Sequence, residues 1–254
     1  MVKKQTKLMV RLGLLGKDIA YSFSRNYFKV KFEAEQIACT YENFDLEDIT
    51  MFPKLLQNNP DISGLNVTIP YKEQIIPFLD KLDKKAKKIG AVNTITINSK
   101  GQLKGYNTDC YGFKKAIKPF LKKHHKKALI LGTGGASKAI AYTLKKLNIT
   151  FDYVSRTPKK NVKFTYDDLT IEDINNYKII INCSPVGTYP EVNSCPDIPY
   201  DGITNQHILY DLIYNPEQTK FLRLGKIQGA QISNGLKMLE LQAEKAWKIW
   251  NSTL

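Results

Sequence analysis

The segment Ala128-Leu-Ile-Leu-Gly-Thr-Gly-Gly-Ala-Ser-Lys-Ala139 constrains this chain more than any other. An apolar run stops at Gly132, a glycine-rich turn follows, and a helix is expected to begin near Ser137. Glycines there let the backbone approach a phosphate-bearing ligand closely, and the free N–H groups at a helix start favour negative charge. The third glycine of the usual G-x-G-x-x-G spacing is Ser137 here, still small enough to keep helix and strand close.

The same alternation runs through the rest of the chain. Strands are predicted at Leu8–Leu15, Thr40–Phe44 and Ser63–Thr68, the last stopped by Pro70, with helices at Asn26–Gln36 and Met51–Gln57 between them. Thr94–Asn98 and Gln102–Tyr106 flank Ser99-Lys100-Gly101 as a β-hairpin. A basic helix predicted over Asp109–His125, with Phe113, Ile117 and Leu121 at helical spacing, joins two α/β units. Beyond it come strands at Lys127–Leu131, Phe151–Val154, Lys178–Asn182 and His207–Leu212, and helices at Ser137–Leu147 and Leu236–Trp250. The pattern predicts mostly parallel sheets covered on both faces.

Composition excludes several classes. At 254 residues and 43% hydrophobic, the chain can bury one large core or two modest ones. No apolar run reaches the ~18–20 residues that a membrane span needs. The basic N-terminus is interrupted by Arg11 and lacks a small-residue cleavage site, so it reads as a first strand and the protein as cytoplasmic. Cys39, Cys110, Cys183 and Cys195 form no CxxC pair, and only His124, His125 and His207 accompany them, so neither a metal site nor a disulfide is expected. The net charge of +14 sits largely in Lys84–Lys88 and Lys122–Lys127, which read as solvated faces or ends of helices. These runs lack interleaved aromatics, which argues against a nucleic-acid-binding protein; part of the charge can attract anionic ligands.

The strand after the glycine turn ends in Ser155-Arg156-Thr157-Pro158-Lys159-Lys160, with no acid at its tip. An acid there would accept the ribose 2′-hydroxyl of NAD; hydroxyls and cations suit the 2′-phosphate of NADP. The rival is Asp152, about 20 residues past the first glycine, read as a mid-strand residue held in a surface ion pair.

Four polar clusters fall at the ends of elements in the first half: Tyr21-Ser-Phe-Ser24, Asn66-Val-Thr-Ile-Pro-Tyr-Lys72, Gly90-Ala-Val-Asn-Thr94 and Gly105-Tyr-Asn-Thr-Asp109. Ligands of open α/β sheets bind beyond the carboxyl ends of the strands, and this inventory suits a small polyhydroxylated acid. Each cluster also has a structural reading. Ser24 and Asp109 can cap helices, and Thr68 and Asn93 can satisfy loop backbone.

Taken in order, these clusters resemble the shikimate dehydrogenase family, which includes quinate-specific members. So do Gly13-Leu-Leu-Gly16, the glycine turn, Ser155-Arg-Thr157, Asn182-Cys-Ser-Pro-Val-Gly187, Tyr210-Asp-Leu-Ile-Tyr214 with Pro216, and Met238-Leu-Glu-Leu-Gln-Ala243. The resemblance implies an α/β, two-domain chain: a mostly parallel substrate domain (residues 1–108 and 234–254, the last helix returning to it) and a Rossmann-like NADP-binding domain (109–233). It implies a small-molecule substrate, with reversible NADPH-dependent reduction of 3-dehydroshikimate to shikimate on the way to aromatic amino acids, by a monomer or homodimer. By resemblance Lys72 and Asp109 form the catalytic pair, and Ser22 and Ser24 hold the substrate carboxylate. Thr68, Asn93, Asp109 and Gln242 bind ring hydroxyls. Gly132, Gly134, Gly135, Ala136, Ser155, Arg156, Thr157 and Lys160 contact NADP, and Tyr214 and Met238 lie near the junction of substrate and nicotinamide, Tyr214 binding the substrate and Met238 the cofactor. Tyr21 and Arg25 depart from the family's His-Ser-x-Ser-Pro loop, which leaves a quinate or dual-specificity dehydrogenase as the alternative, beside a non-catalytic NADP-binding regulator.

Overall fold

The computed structural model describes residues 10–20 and 22–253. The first two positions of the strand expected at Leu8–Leu15, and the departure at Tyr21, lie outside them. The chain divides into two compact units, one formed by residues up to Thr108 and from Ala243 on, the other by Asp109–Gln242.

In the first unit β1 (Val10–Gly16) pairs in parallel with β2 (Cys39–Asp45) on one side and β3 (Ile62–Val67) on the other. At the far edge lies β4 (Lys81–Leu82), and between it and β3 run β5 (Thr94–Ile97) and β6 (Leu103–Tyr106), giving the order β2-β1-β3-β5-β6-β4. The hairpin is present: β5 runs antiparallel to both β3 and β6. Helices α1 (Phe23–Ala34), α2 (Phe52–Asn58) and α3 (Lys84–Ile89) cover the sheet. Along β1, successive side chains face opposite ways. Leu12 and Leu14 pack with Phe28 and Phe32 of α1, whereas Leu15 packs with Phe52, Leu65 and Ile95. A strand buried on both faces has no polar alternation, as this one has none.

The second unit opens with α4 (Asp109–Ile117), then β7 (Lys127–Leu131), α5 (Gly135–Lys146), β8 (Thr150–Ser155), β9 (Phe164–Thr165), α6 (Ile171–Asn176) and β10 (Ile179–Asn182). It closes with β11 (Ile208–Asp211), α7 (Lys220–Ile227), β12 (Gln231–Ser233) and the start of α8 (Leu236–Asn251). Every strand pair is parallel, and the sheet order is β12-β11-β10-β7-β8-β9. Counted within the unit, that is the doubly wound dinucleotide order, with its reversal between β7 and β10.

The long final helix serves both units in turn. Met238 belongs to the core around Phe113 and Tyr210. Ala243, Ala246 and Trp250 belong to the core of the first unit. There the Trp250 indole Nε1 donates to the Ile95 carbonyl at 2.9 Å, and a methyl on Gly64 would lie 2.5 Å from that same nitrogen.

Three expectations need correction. The helix predicted to His125 ends at Ile117, and a short 3₁₀ turn, Lys118–Phe120, follows. Pro119 has no N–H to donate, and its ring would collide with the carbonyl four residues back. Consequently Lys122–Lys126 form a turn into β7 rather than a helix face or end, whereas Lys84–Lys88 do form the exposed side of α3. Finally, α1 begins at Phe23, three residues before the predicted start, which makes Ser22 its N-cap residue and places Ser24 in the first turn. No helix among the described residues is long and apolar enough to cross a membrane, and no group of His, Cys, Asp or Glu among them could hold a metal ion.

Candidate active site

The first unit gathers its polar residues at one end of its sheet because of strand direction. The strand order reverses between β1 and β3, and both end at the same edge. Since β5 is antiparallel, its first residue returns there: Thr94 pairs with Asn66, near the end of β3. Tyr106, the last residue of β6, pairs with Thr94 in turn, so Asn107 and Thr108 emerge at the same place.

A chain of buried hydrogen bonds ties this edge together. Ser24 bonds the hydroxyl of Tyr41. That hydroxyl donates to Asn66 Oδ1 at 2.9 Å, and burial holds its pKa far above the ordinary phenol value, so it stays a donor. Asn66 Nδ2 donates to the Asn93 carbonyl at 3.0 Å and to Thr94 Oγ1 at 3.1 Å. Asn93 Nδ2 donates to Thr108 Oγ1 at 2.9 Å, while its Oδ1 accepts from the Thr108 backbone N–H at 2.7 Å. Asn93 therefore does perform the structural task its position suggested, orienting the residue just before Asp109.

Ser22 and Thr68 differ from these. Neither spends its hydroxyl on another described residue, although Thr68 is pinned through its backbone, donating to the Leu15 carbonyl at 2.9 Å. Gly16 makes room for it, because a Cβ there would sit 2.6 Å from Thr68 Cγ2. Lys72 is half-buried on the loop after β3, and its carbonyl accepts from Val92 N–H at 2.7 Å, which locks this loop to the Gly90–Thr94 segment. Exposed Arg25 exerts a favourable charge interaction on Glu42.

In the second unit Asp109 is the buried first residue of α4. On the same helix Gly112 lets α8 come close: a Cβ there would lie 2.5 Å from the Met238 carbonyl and 3.2 Å from Gln242 Cβ. Met238 and Gln242, i and i+4, are accordingly both buried on one face. Tyr214 lies on the loop after β11.

The glycine turn stands at the reversal of strand order. Gly132 has φ +104°, open to glycine, and an added Cβ would lie 3.3 Å from the Cys183 carbonyl carbon and Ser184 nitrogen in the turn after β10. Gly134 is the N-cap of α5, makes no side-chain cap, and has nothing within 4 Å of where a Cβ would be. Gly135 and Ala136 form the first helical turn, and the Ser137 hydroxyl donates to the Gly134 carbonyl at 2.7 Å, satisfying the one polar atom that sets it apart from glycine. Around Gly134 the turn thus offers open space in front of the first amides of α5, which fits a pyrophosphate.

Next to it, β8 ends at Ser155, whose hydroxyl donates to the Thr157 carbonyl. Arg156, Thr157 and Lys160 are exposed, and Arg156 makes no ion pair among the described residues. Lys159 Nζ lies 3.4 Å from Thr133 Oγ1, so this cationic loop reaches the glycine turn. Asp152 sits mid-strand and is engaged elsewhere, accepting from the Tyr177 hydroxyl at 2.5 Å with Lys163 Nζ at 3.5 Å. The tip of β8 fits a 2′-phosphate, and its acid faces away from that role.

Tyr41, Asn66, Thr94 and Thr108 were not singled out as site residues from sequence. Asn66, Thr94 and Thr108 stand inside the polar clusters named from sequence. Tyr41 left no signal, because a phenol in a strand reveals its partner only once α1 and β3 are packed beside it.

Residues 14–95 match the family model for the shikimate dehydrogenase substrate binding domain. The chain is similar to the shikimate dehydrogenase (NADP(+)) of Clostridium botulinum, 40% identical with 95% of this chain and 96% of that protein covered. Among solved structures it is similar to shikimate dehydrogenase from Aquifex aeolicus (TM-score 0.86, 32% identity, 99% of this chain and 95% of that one). Also similar is shikimate 5-dehydrogenase from Thermus thermophilus in complex with NADP(H) and shikimate (TM-score 0.85, 29% identity, 97% and 95% covered).

Proposed function

The chain belongs to the shikimate dehydrogenase family, and from that premise we propose that it reduces 3-dehydroshikimate reversibly to shikimate with NADPH, using Lys72 and Asp109 as its catalytic pair. The observation that carries this reading is the register of the first sheet. Antiparallel β5 returns Asn93 and Thr94 to the carboxyl end of β3, where Thr68 spends its hydroxyl on no other described residue and Lys72 follows on the same loop.

When bound, NADPH supplies the hydride. The chain's residues then have to hold the ketone and manage one proton. As reduction proceeds, negative charge develops on the carbonyl oxygen; the Lys72 ammonium stabilises it and donates the proton from Nζ. Asp109 orients Lys72 and accepts from the adjacent ring hydroxyl. Ser22 and Ser24 donate to the substrate carboxylate, and Thr68, Asn93, Tyr214 and Gln242 bind the ring and its hydroxyls. In the other half-site the amides of Gly134, Gly135 and Ala136 hold the pyrophosphate, and Gly132, whose own N–H donates to the Val154 carbonyl at 2.9 Å, shapes the turn that lets it approach. Ser155, Arg156, Thr157 and Lys160 hold the 2′-phosphate, and Met238 packs at the nicotinamide end. In this reading residues 1–108 and 234–254 carry the substrate and 109–233 the dinucleotide, in a cytoplasmic monomer or homodimer.

The test is the absorbance of reduced nicotinamide during oxidation of shikimate and of quinate, each with NADP and with NAD. Shikimate with NADP is expected to give the highest kcat/KM. Lys72→Met is expected to lower kcat by about 10²–10⁴-fold. Wild-type turnover in that variant, with substrate affinity unchanged, would remove Lys72 from the mechanism.

A further inference from the structure

Asp211, the last residue of β11, is fully buried and absent from the machinery described so far. Its carboxylate gathers three donors from three separate segments. Asn182 Nδ2 at 3.0 Å and the Ile213 backbone N–H at 3.0 Å both donate to Oδ1. The Thr219 hydroxyl donates to Oδ2 at 2.7 Å. Asn182 in turn accepts on Oδ1 from the Ser184 N–H at 3.0 Å and the Ser184 hydroxyl at 2.7 Å, and its Nδ2 also reaches the Val186 carbonyl at 3.3 Å. The Cys183–Ser184 backbone held in this way is the surface against which Gly132 rests, 3.3 Å from where a Cβ would stand.

We infer that Asp211 is a positioning residue for the dinucleotide half-site, fixing Asn182 and, through it, the Cys183–Val186 turn that backs the glycine turn. An acid at this buried position has to be explained by what it holds in place. Burying a carboxylate is costly, and burial does raise the Asp211 pKa to about 6. A carboxylate accepts from all three donors at once, whereas an amide keeps the two on Oδ1 only by turning its N–H₂ to Thr219, whose hydroxyl then gives up its donation and accepts instead. The cost therefore secures geometry, and the geometry converges on the cofactor turn. The inference rests on the dinucleotide reading above.

The test is NADPH binding without substrate, followed by nicotinamide fluorescence, alongside thermal melting and steady-state kinetics. Asp211→Asn and Asn182→Ala are each expected to weaken NADPH binding about tenfold, the scale of one lost charge-assisted hydrogen bond. KM for NADPH should rise with them while kcat at saturation changes little. Because the two residues act as one unit, the double variant should bind no worse than the weaker single one. Ser184→Ala removes only one hydroxyl at a half-buried position and should weaken binding by about threefold, which keeps the test open if the buried variants fail to fold. Variants that melt earlier but bind NADPH as the wild type does would overturn the inference, as would losses that multiply in the double variant. Failure of the wild type itself to bind NADPH would instead sink the proposed function.

Discussion

Two glycines two positions apart should respond to the same substitution in opposite ways. Gly132 has φ +104°, where a side chain is strained, and its Cβ would meet backbone atoms at 3.3 Å on a neighbouring turn that cannot swing aside. Backbone strain of this kind costs about 1–3 kcal/mol, and the tight contact adds to it, so Gly132→Ala is expected to lower unfolding free energy by about 2–4 kcal/mol. Gly134 has φ −76°, a conformation alanine adopts, and its Cβ would point into open space. The fold should lose only about 0.5 kcal/mol from the poorer N-cap. In the proposed binding mode the methyl group stands where the pyrophosphate approaches, so NADPH affinity should fall at least tenfold, about 1.4 kcal/mol. Urea unfolding and NADPH titration on the two variants separate these outcomes. If Gly134→Ala bound NADPH as tightly as the wild type, the turn would not be the phosphate cradle; if Gly132→Ala unfolded at the wild-type midpoint, the strain argument would fail.

Arg156→Ala should raise KM for NADPH about tenfold, one lost charge-assisted pair, and leave KM for NADH unchanged; Asp152→Asn should alter neither, because Asp152 is held by Tyr177 and Lys163. An equal loss for both cofactors would refute the 2′-phosphate role. Burial holds His125 and His207 below the ordinary histidine pKa, so the unfolded chain binds more protons there. Their stabilisation is complete above about pH 6.5 and is lost as pH falls through and below it. His207 Nδ1 accepts from the Thr204 N–H at 2.9 Å, a bond that protonation removes, so His207→Gln should flatten the fall in melting temperature between pH 7.5 and pH 5.5; an unchanged slope would dismiss this group. Asp211, raised to about 6, works in the opposite sense below that pH. Trp250→Ala should cost about 3–5 kcal/mol by emptying the core beside Phe28 and breaking the bond to Ile95. NADPH binding in the second unit should stay at the wild-type level, and a matching loss there would contradict the separation.

Much of the second unit was legible because its signals are local. The β7–turn–α5 segment declares itself by an apolar run, glycines and a following helix, and each step spans only a few residues. The basic tip of β8 follows directly from reading that strand's end. Elsewhere local signals misled or fell silent. The apolar spacing from Phe113 to Leu121 outvoted Pro119, which ends the helix on its own. Short α6 and α7, marked by Thr170 and Thr219 as caps, and three-residue β12 were too brief to raise a period.

By itself the sequence pointed to candidate site residues and to most of the longer strands, turns and helices, since propensity, spacing and glycine's backbone freedom act over neighbouring positions. It did not determine that β5 runs against β3, that Tyr41 reaches Asn66, or that Asp211 gathers Asn182, Ile213 and Thr219. Those depend on strand order, direction and register between segments tens of residues apart, and such pairing is chosen only when whole faces compete for burial in one core. Tertiary structure thus turned scattered hydroxyls and amides into one polar edge, and an ordinary aspartate into the support of a turn.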